Sequence, residues 1–200
     1  MKIGILGLQG GIIEHVHMLR KAYNNLGING EILIVKKPKE LTSIDGIIIP
    51  GGESTTIGVL AKRIGLLDEL KDLVIKGLPV MGICAGTVML AKNVVDKKVG
   101  KVEQPLLAVM NISVIRNYYG RQKESFEIDI KIPAIGDKPF RCVFIRAPAI
   151  IKTWYPTEPL AKLNNVIVAA EQRNMLAITF HPELTNDSRI HEYFIKMIKR

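Results

Sequence analysis

Short apolar runs alternating with helix-spaced stretches constrain the first hundred residues more than any other feature. Lys2–Leu6, Glu31–Val35, Gly46–Ile49 and residues 78–83 are apolar runs too short for a helix and bounded by turn residues. Residues 11–26 carry Ile12, Ile13, Val16, Leu19 and Tyr23 at helical spacing, and Gly27 stops that helix. After Pro50-Gly51-Gly52 comes a helix or helix pair with Leu60, Ile64, Leu67, Leu70 and Val74, capped by Ser54, Thr55 or Thr56. Another helix begins in residues 87–91. Strands apolar throughout, joined by helices, predict a parallel sheet covered on both faces.

The pattern changes after about residue 105. Phe126, Ile128, Ile130 and Ile132 alternate with Glu127, Asp129 and Lys131, a period of two that predicts an antiparallel strand with one wet face. Residues 140–145, 166–170 and 175–180 read as further strands, with a hairpin turn over residues 171–174. A last amphipathic helix follows Asp187-Ser188 and carries Ile190, Phe194 and Ile198. With no linker or repeat, the expectation is one domain over residues 1–200, an α/β three-layer sandwich around a mixed, mostly parallel central sheet.

Composition narrows the function classes. The 200 residues are 48% hydrophobic and 24% charged, which excludes a disordered chain, a collagen-like chain and a disulfide scaffold. No run approaches the ~18 apolar residues of a membrane span, and the first residues lack a signal-peptide pattern, so a cytoplasmic protein is expected. The net charge of +9 comes from lysines and arginines scattered in ones and twos, without interleaved aromatics. That describes a solvated surface, not a nucleic-acid or membrane footprint. Cys84 and Cys142 lie far apart, and no Cys/His cluster has zinc-ligand spacing, so no metal and no cofactor are expected.

Gly82-Ile83-Cys84-Ala85-Gly86 lies between a strand and a helix, which is the nucleophile-elbow pattern with Cys in place of Ser. Such a turn forces strained backbone on the nucleophile and brings neighbouring backbone too close for a Cβ. It also sets the thiol at a helix N-terminus, with the Ala85 N–H placed to stabilise an oxyanion. A nucleophilic Cys needs a base. His15, His17 and His191 fall in expected helices, where solvated or core roles suit them. His181 follows a strand, in Phe180-His181-Pro182-Glu183, where residues i and i+2 point the same way, so Glu183 can steady its imidazole. Cys142 alternates with larger apolar residues and reads as a packed strand thiol. Pro50-Gly51-Gly52-Glu53-Ser54-Thr55 is a second glycine-rich strand-to-helix turn. It is neither a Walker A loop nor a dinucleotide fingerprint, and its N–H groups suit an anion or a carbonyl oxygen.

Together these pieces resemble the class I, triad-type glutamine amidotransferases, and within them the glutaminase subunits of pyridoxal 5′-phosphate synthases. The matching residues span nearly the whole chain: Gly7-Leu8-Gln9-Gly10 with Glu14-His15, Pro50-Gly51-Gly52-Glu53-Ser54-Thr55, the Cys84 elbow, Arg116-Asn117 with Tyr119-Gly120-Arg121-Gln122, Ser125-Phe126-Glu127, Phe144-Ile145-Arg146-Ala147-Pro148, and Phe180-His181-Pro182-Glu183-Leu184. The elbow and His-Pro-Glu are shared by the whole superfamily, whereas the Gly-Arg-Gln and Ile-Arg-Ala-Pro segments belong to the vitamin B6 branch.

The resemblance implies hydrolysis of L-glutamine to glutamate and ammonia by a Cys84-His181-Glu183 triad, with an oxyanion hole from Gly51, Gly52 and Ala85. It implies a substrate site of Gly52, Glu53, Ser54, Arg116, Ile145 and Arg146, with Glu53 at the α-ammonium and the two arginines at the α-carboxylate. Arg146 is expected at a strand end and Arg116 in a loop. It also implies a partner, since a single domain of this size leaves no room for acceptor chemistry: a synthase subunit in a hetero-oligomer, which makes pyridoxal 5′-phosphate from a pentose phosphate, a triose phosphate and ammonia. The first βα turn falls on the same sheet edge as Cys84, which makes Gln9, Gly10 and Glu14 the candidate partner contacts. The rival readings are a glutaminase for another acceptor, a cysteine peptidase-like hydrolase of the same superfamily, and a binding module that has kept the fold.

Overall fold

The computed structural model describes residues 1–97, 100–101, 103–120 and 124–200. Its strands are β1 (Lys2–Leu6), β2 (Glu31–Val35), β3 (Gly46–Ile49), β4 (Val80–Ile83), β5 (Ala91–Asp96), β6 (Gly100–Lys101), β7 (Met110–Arg116), β8 (Phe126–Ile130), β9 (Phe140–Phe144), β10 (Ala149–Thr153), β11 (Glu158–Leu163), β12 (Val166–Gln172) and β13 (Met175–Ile178). Its helices are α1 (Ile12–Asn25), α2 (Ser54–Arg63), α3 (Leu66–Ile75), α4 (Ala85–Leu90) and α5 (Arg189–Ile198). No helix among the described residues is long and apolar enough to cross a membrane.

The main sheet runs β2-β1-β3-β4-β13-β12-β10-β7-β5-β6, with β11 paired to β12. From β2 to β13 every pairing is parallel. The extension beyond β13 is antiparallel except for β5 with β7. The parallel strands are buried along nearly their whole length where they are central: Ile47, Ile48 and Ile49 of β3 and Val80, Met81 and Ile83 of β4 are all inaccessible. A strand with helices on both faces has no wet side, which is why these runs are apolar without alternation.

Two hydrophobic cores lie on opposite faces of the sheet. One gathers Ile57, Leu66, Leu70 and Val74 of α2 and α3 with α4. The other gathers Leu19, Ala22 and Tyr23 of α1 and Ile190, Phe194 and Ile195 of α5. The result is the expected three-layer α/β sandwich.

Several local expectations need correction. The α1 stripe is His15, Met18, Leu19, Ala22 and Tyr23, while Ile13 is 57% exposed. The β8 alternation is antiparallel as expected, but among the described residues β8 pairs only with β9, in a separate two-stranded sheet. That ribbon packs Phe140, Cys142 and Phe144 against Phe180, in the core shared with α1 and α5. The turn after β12 is tighter than residues 171–174, because Glu171 and Gln172 still pair with β13. The cap of α2 is Glu53, with no side-chain cap bond, and Ser54 is the first helical residue. Instead of capping, the Ser54 hydroxyl meets Gln104.

Candidate active site

Four parallel strands end at one edge, and each delivers a piece of the site. Register fixes their levels: Ile5 lies beside Ile48, Ile49 beside Gly82, and Ile83 beside Ile178. The chain beyond β1 therefore presents Gln9, that beyond β3 presents Gly51-Gly52-Glu53, that beyond β4 presents Cys84, and that beyond β13 presents His181. This is the carboxyl edge, where open α/β sheets bind ligands.

Cys84 has φ 50° and ψ −98°, a conformation that L-residues adopt only under constraint. The constraint is visible. The Cys84 N–H donates to the Ile178 carbonyl at 2.7 Å, and the buried Thr87 hydroxyl sits between the Gly82 and Ile178 carbonyls at 3.0 and 2.7 Å. A Cβ on Gly86 would collide with the Ile49 carbonyl, and one on Gly82 with the Gly86 backbone. The elbow is built as its glycines predict. Its helix α4 is only six residues long, from Ala85 to Leu90, before the chain turns into β5.

His181 Nδ1 lies 2.7 Å from Glu183 Oε1, in a loop that opens with Pro182. The His181 N–H donates to Val143 of β9 at 2.8 Å, so the β8–β9 ribbon helps to hold the base. Burial by itself pulls the imidazolium down. Hydrogen bonds to Cys84 and Glu183, with their charges, outweigh it and raise the His181 pKa to about 10. Glu183 is buried, which would raise its carboxyl, but the His15 and His181 rings beside it hold it below the ordinary value. The arrangement brings a thiol, an imidazole and a carboxylate into the order that a nucleophile, a base and its orienting acid require.

A cavity of about 290 Å³ opens in front of Cys84, at the low end of the ~300–1,000 Å³ usual for small-molecule sites. Gly52, Glu53, Ser54, Cys84, Ala85, Arg116, Ile145, Arg146 and His181 all line it, joined by Gln9 and Val88. Every expected substrate residue is therefore brought together. Arg116 is the last residue of β7 and not a loop residue. Its guanidinium lies 3.4 Å from Glu53 Oε1 and 3.1 Å from Thr55 Oγ1, with Gln104 Oε1 at 2.5 Å. Arg146 follows β9 with φ 48°. Opposite charges side by side suit a zwitterion, whose ammonium and carboxylate leave the same carbon.

Gly51 and Gly10 do not line the cavity, but Gly51 packs directly against His181 and Cys84, leaving no room for a Cβ. Gly10, at φ 115°, packs so closely on the Gly51 carbonyl that no Cβ fits. The Gly11 N–H donates to that carbonyl at 3.2 Å, and the Glu53 N–H donates to Gln9 Oε1 at 2.8 Å. The first βα turn thus clamps the glycine turn after β3. Gly10, Ile13 and Glu14 are exposed on the outer side of the same turn. Arg121 and Gln122 lie outside the described residues.

Two buried residues are not assigned to the site from the sequence: His15, although it stands in the matching Glu14-His15 segment, and His191, which pairs with it at 3.0 Å behind Glu183. His15 does fall on the buried spacing of α1, with Leu19, Ala22 and Tyr23, and that spacing is the signal that marks it.

A full-length relative from Staphylothermus marinus, pyridoxal 5′-phosphate synthase subunit PdxT, is 60% identical over 205 residues that cover all of both chains. Its counterpart of the same name in Saccharolobus solfataricus is 59% identical over 199 residues, again covering all of both. Among solved structures, a glutamine amidotransferase aligns with a TM-score of 0.85 and 42% identity over 99% of both chains. The model of the SNO glutamine amidotransferase family matches residues 5–200. A family model that spans all but the first four residues, together with full-length relatives at about 60% identity, shows that the chain belongs to the SNO glutamine amidotransferase family.

Proposed function

We propose that this chain is the glutaminase subunit of a pyridoxal 5′-phosphate synthase, hydrolysing L-glutamine and passing the ammonia to a synthase subunit. The carrying observation is one cavity that joins Cys84, on its strained elbow, to the His181–Glu183 pair and to Glu53, Arg116 and Arg146. Full-length relatives at 59–60% identity with the pyridoxal phosphate synthase name support the acceptor pathway.

The chemistry follows from the positions. Glu53 takes the α-ammonium of glutamine, and Arg116 and Arg146 take its α-carboxylate. This directs the side-chain amide towards Cys84. The Cys84 thiolate adds to the amide carbon, and the negative oxygen rests on N–H groups of Ala85 and the Gly51-Gly52 turn. His181, held by Glu183, gives its proton to the departing nitrogen, the C–N bond breaks, and ammonia leaves a γ-glutamyl thioester on Cys84. His181 then takes a proton from water, whose oxygen displaces the thiolate and releases glutamate. A cysteine peptidase would need the same elbow but not a paired cationic and anionic pocket. Two free thiols, Cys84 and Cys142, suit a reducing, cytoplasmic setting.

In the same reading the partner docks on the carboxyl edge at Gln9, Gly10 and Glu14 and switches the glutaminase on. The Gly51-Gly52 peptide can flip at low steric cost, and the Gln9–Gly11 turn holds its Gly51 carbonyl through the Gly11 N–H and the following Glu53 N–H through Gln9. Ammonia release from glutamine, measured against added synthase subunit, tests both claims. The isolated chain is expected to be slow and the complex fast, with Gln9→Ala weakening activation while leaving the fold intact. No ammonia release from the complex would overturn the glutaminase reading. A free chain at the full rate would overturn the switch alone.

A further inference from the structure

Glu183 uses one oxygen on His181, and its other oxygen is the notable one. Oε2 is buried and has no hydrogen-bond partner among the described residues. The atom facing it is His15 Nε2, 3.7 Å away and equally unpartnered. His15 is the fourth residue of α1. Its Nδ1 lies 3.0 Å from Nε2 of His191, on α5, and both rings are wholly inaccessible. A third buried atom without a partner, His191 Nδ1, ends the row. The ring centroids are 5.2 Å apart, and α1 is also tied to α5 by Asn25, which donates to Ser188 Oγ and Glu192 Oε1 at 2.9 Å each.

Counting protons selects one arrangement. Both rings are wholly inaccessible, and burial pulls His15 and His191 below the ordinary imidazole value, which favours the neutral ring with one N–H on each. Only one hydrogen fits between His15 Nδ1 and His191 Nε2. If His15 supplied it, the bare Nε2 lone pair of His15 would face the Glu183 carboxylate, and His191 Nδ1–H would be a buried donor with no acceptor. If His191 supplies it, His15 Nε2–H points at Glu183 Oε2, and the only atom left over is a lone pair on His191 Nδ1. The second arrangement avoids a repulsion and an orphaned donor at once. At 3.7 Å the His15–Glu183 contact is electrostatic. Such contacts often tighten once substrate is bound.

We propose that His15 is a positioning residue for the triad: its Nε2–H holds the second oxygen of Glu183, and His191 fixes the His15 tautomer that makes this possible. The donors then run in one direction, from α5 through α1 to the carboxylate that steadies His181. The α1 N-terminal segment consequently supports both halves of the site, gripping Gly51 through Gly11 and Glu183 through His15. This inference rests on the glutaminase reading for its kinetic consequence but not for its geometry, and the test separates the two.

The first measurement is nitrogen NMR of the full chain with 15N-labelled histidine at neutral pH. His15 is expected as the neutral tautomer protonated on Nε2, whether or not glutamine is the substrate. An Nδ1-protonated or charged His15 would overturn the proposal. The second is steady-state glutamine hydrolysis by the chain in complex with the synthase subunit. His15→Leu is expected to lower kcat by about tenfold with KM for glutamine unchanged, because His15 touches no substrate. His15→Gln, whose amide N–H can stand where Nε2–H stood, is expected to recover most of the loss. A Leu variant with the parent kcat, or a Gln variant as impaired as the Leu variant, would overturn the proposal even in an active glutaminase.

Discussion

Cys84 and Cys142 are both buried free thiols, yet their surroundings set them apart. Cys84 stands at positive φ on a cavity wall with His181 beside it, whereas Cys142 is packed inside β9, where burial pushes its thiol up to about 12. Cys84→Ala is therefore expected to abolish glutamine hydrolysis and Cys142→Ala to leave most of it. Mass mapping after treatment with a thiol-reactive glutamine analogue checks this, and label on Cys142 would refute it. Arg146→Ala and Glu53→Ala are each expected to raise the glutamine KM at least about tenfold, since a charged substrate end loses a partner worth ~1.5–3 kcal/mol. Initial rates over a range of glutamine concentrations measure this, and a parent KM in both variants would shift the balance to the peptidase reading. The grouping of Cys84, His181 and Glu183 was legible in the sequence because its marks are local: glycines two residues either side of Cys84, and a proline between His181 and Glu183. The place of Arg116 at a strand end was missed although the alternation of Met110, Ile112 and Val114 with Asn111 and Ser113 marks β7 and puts Arg116 at its end. The buried spacing of α1 marks His15 as inward-facing, but its approach to Glu183 and His191 needed the contact between α1 and α5.

Elements buried on both faces were the legible ones. β1, β3 and β4 are near-continuous apolar runs, and α3 and α5 show a clear apolar stripe. β5 alternates irregularly, with Lys92, Asn93 and Val95 exposed, and shifts register against β7, so its sequence carries neither period cleanly. β8 and β9 have strand periodicity, but period alone does not say which sheet a strand joins. At the elbow the element-level account gives a sharp expectation. In Gly86→Ala the new methyl meets the Ile49 carbonyl, which is backbone of a central strand and cannot move aside. The cost is expected to be about 2 kcal/mol or more, seen as a melting temperature several degrees lower together with lost glutaminase activity. A variant that melts with the parent would show that the elbow has slack that the packing does not reveal.

For the whole molecule, the parallel order β2-β1-β3-β4-β13 is what turns scattered motifs into a site. Four loops separated by up to 170 residues converge because parallel strands all end on one edge, and because β13 inserts beside β4 to place His181 next to Cys84. The antiparallel extension serves the same edge by carrying Arg116, and the β8–β9 ribbon does so by carrying Arg146 and bracing His181. The net charge of +9 plays no part in this geometry, and its lysines and arginines are spread over the chain. In the proposed complex, ammonia released at Cys84 passes to the synthase subunit through the interface, because in water it would be protonated and lost. The most direct measurement is therefore the fate of nitrogen: the complex is supplied with glutamine labelled with 15N in its amide, the two sugar phosphates and excess unlabelled ammonium. The account predicts that 15N enters the pyridoxal 5′-phosphate ring in preference to the ammonium nitrogen, and that Cys84→Ala abolishes the labelling. Unlabelled product from the intact complex, or the same labelling with the Cys84→Ala chain, would contradict it.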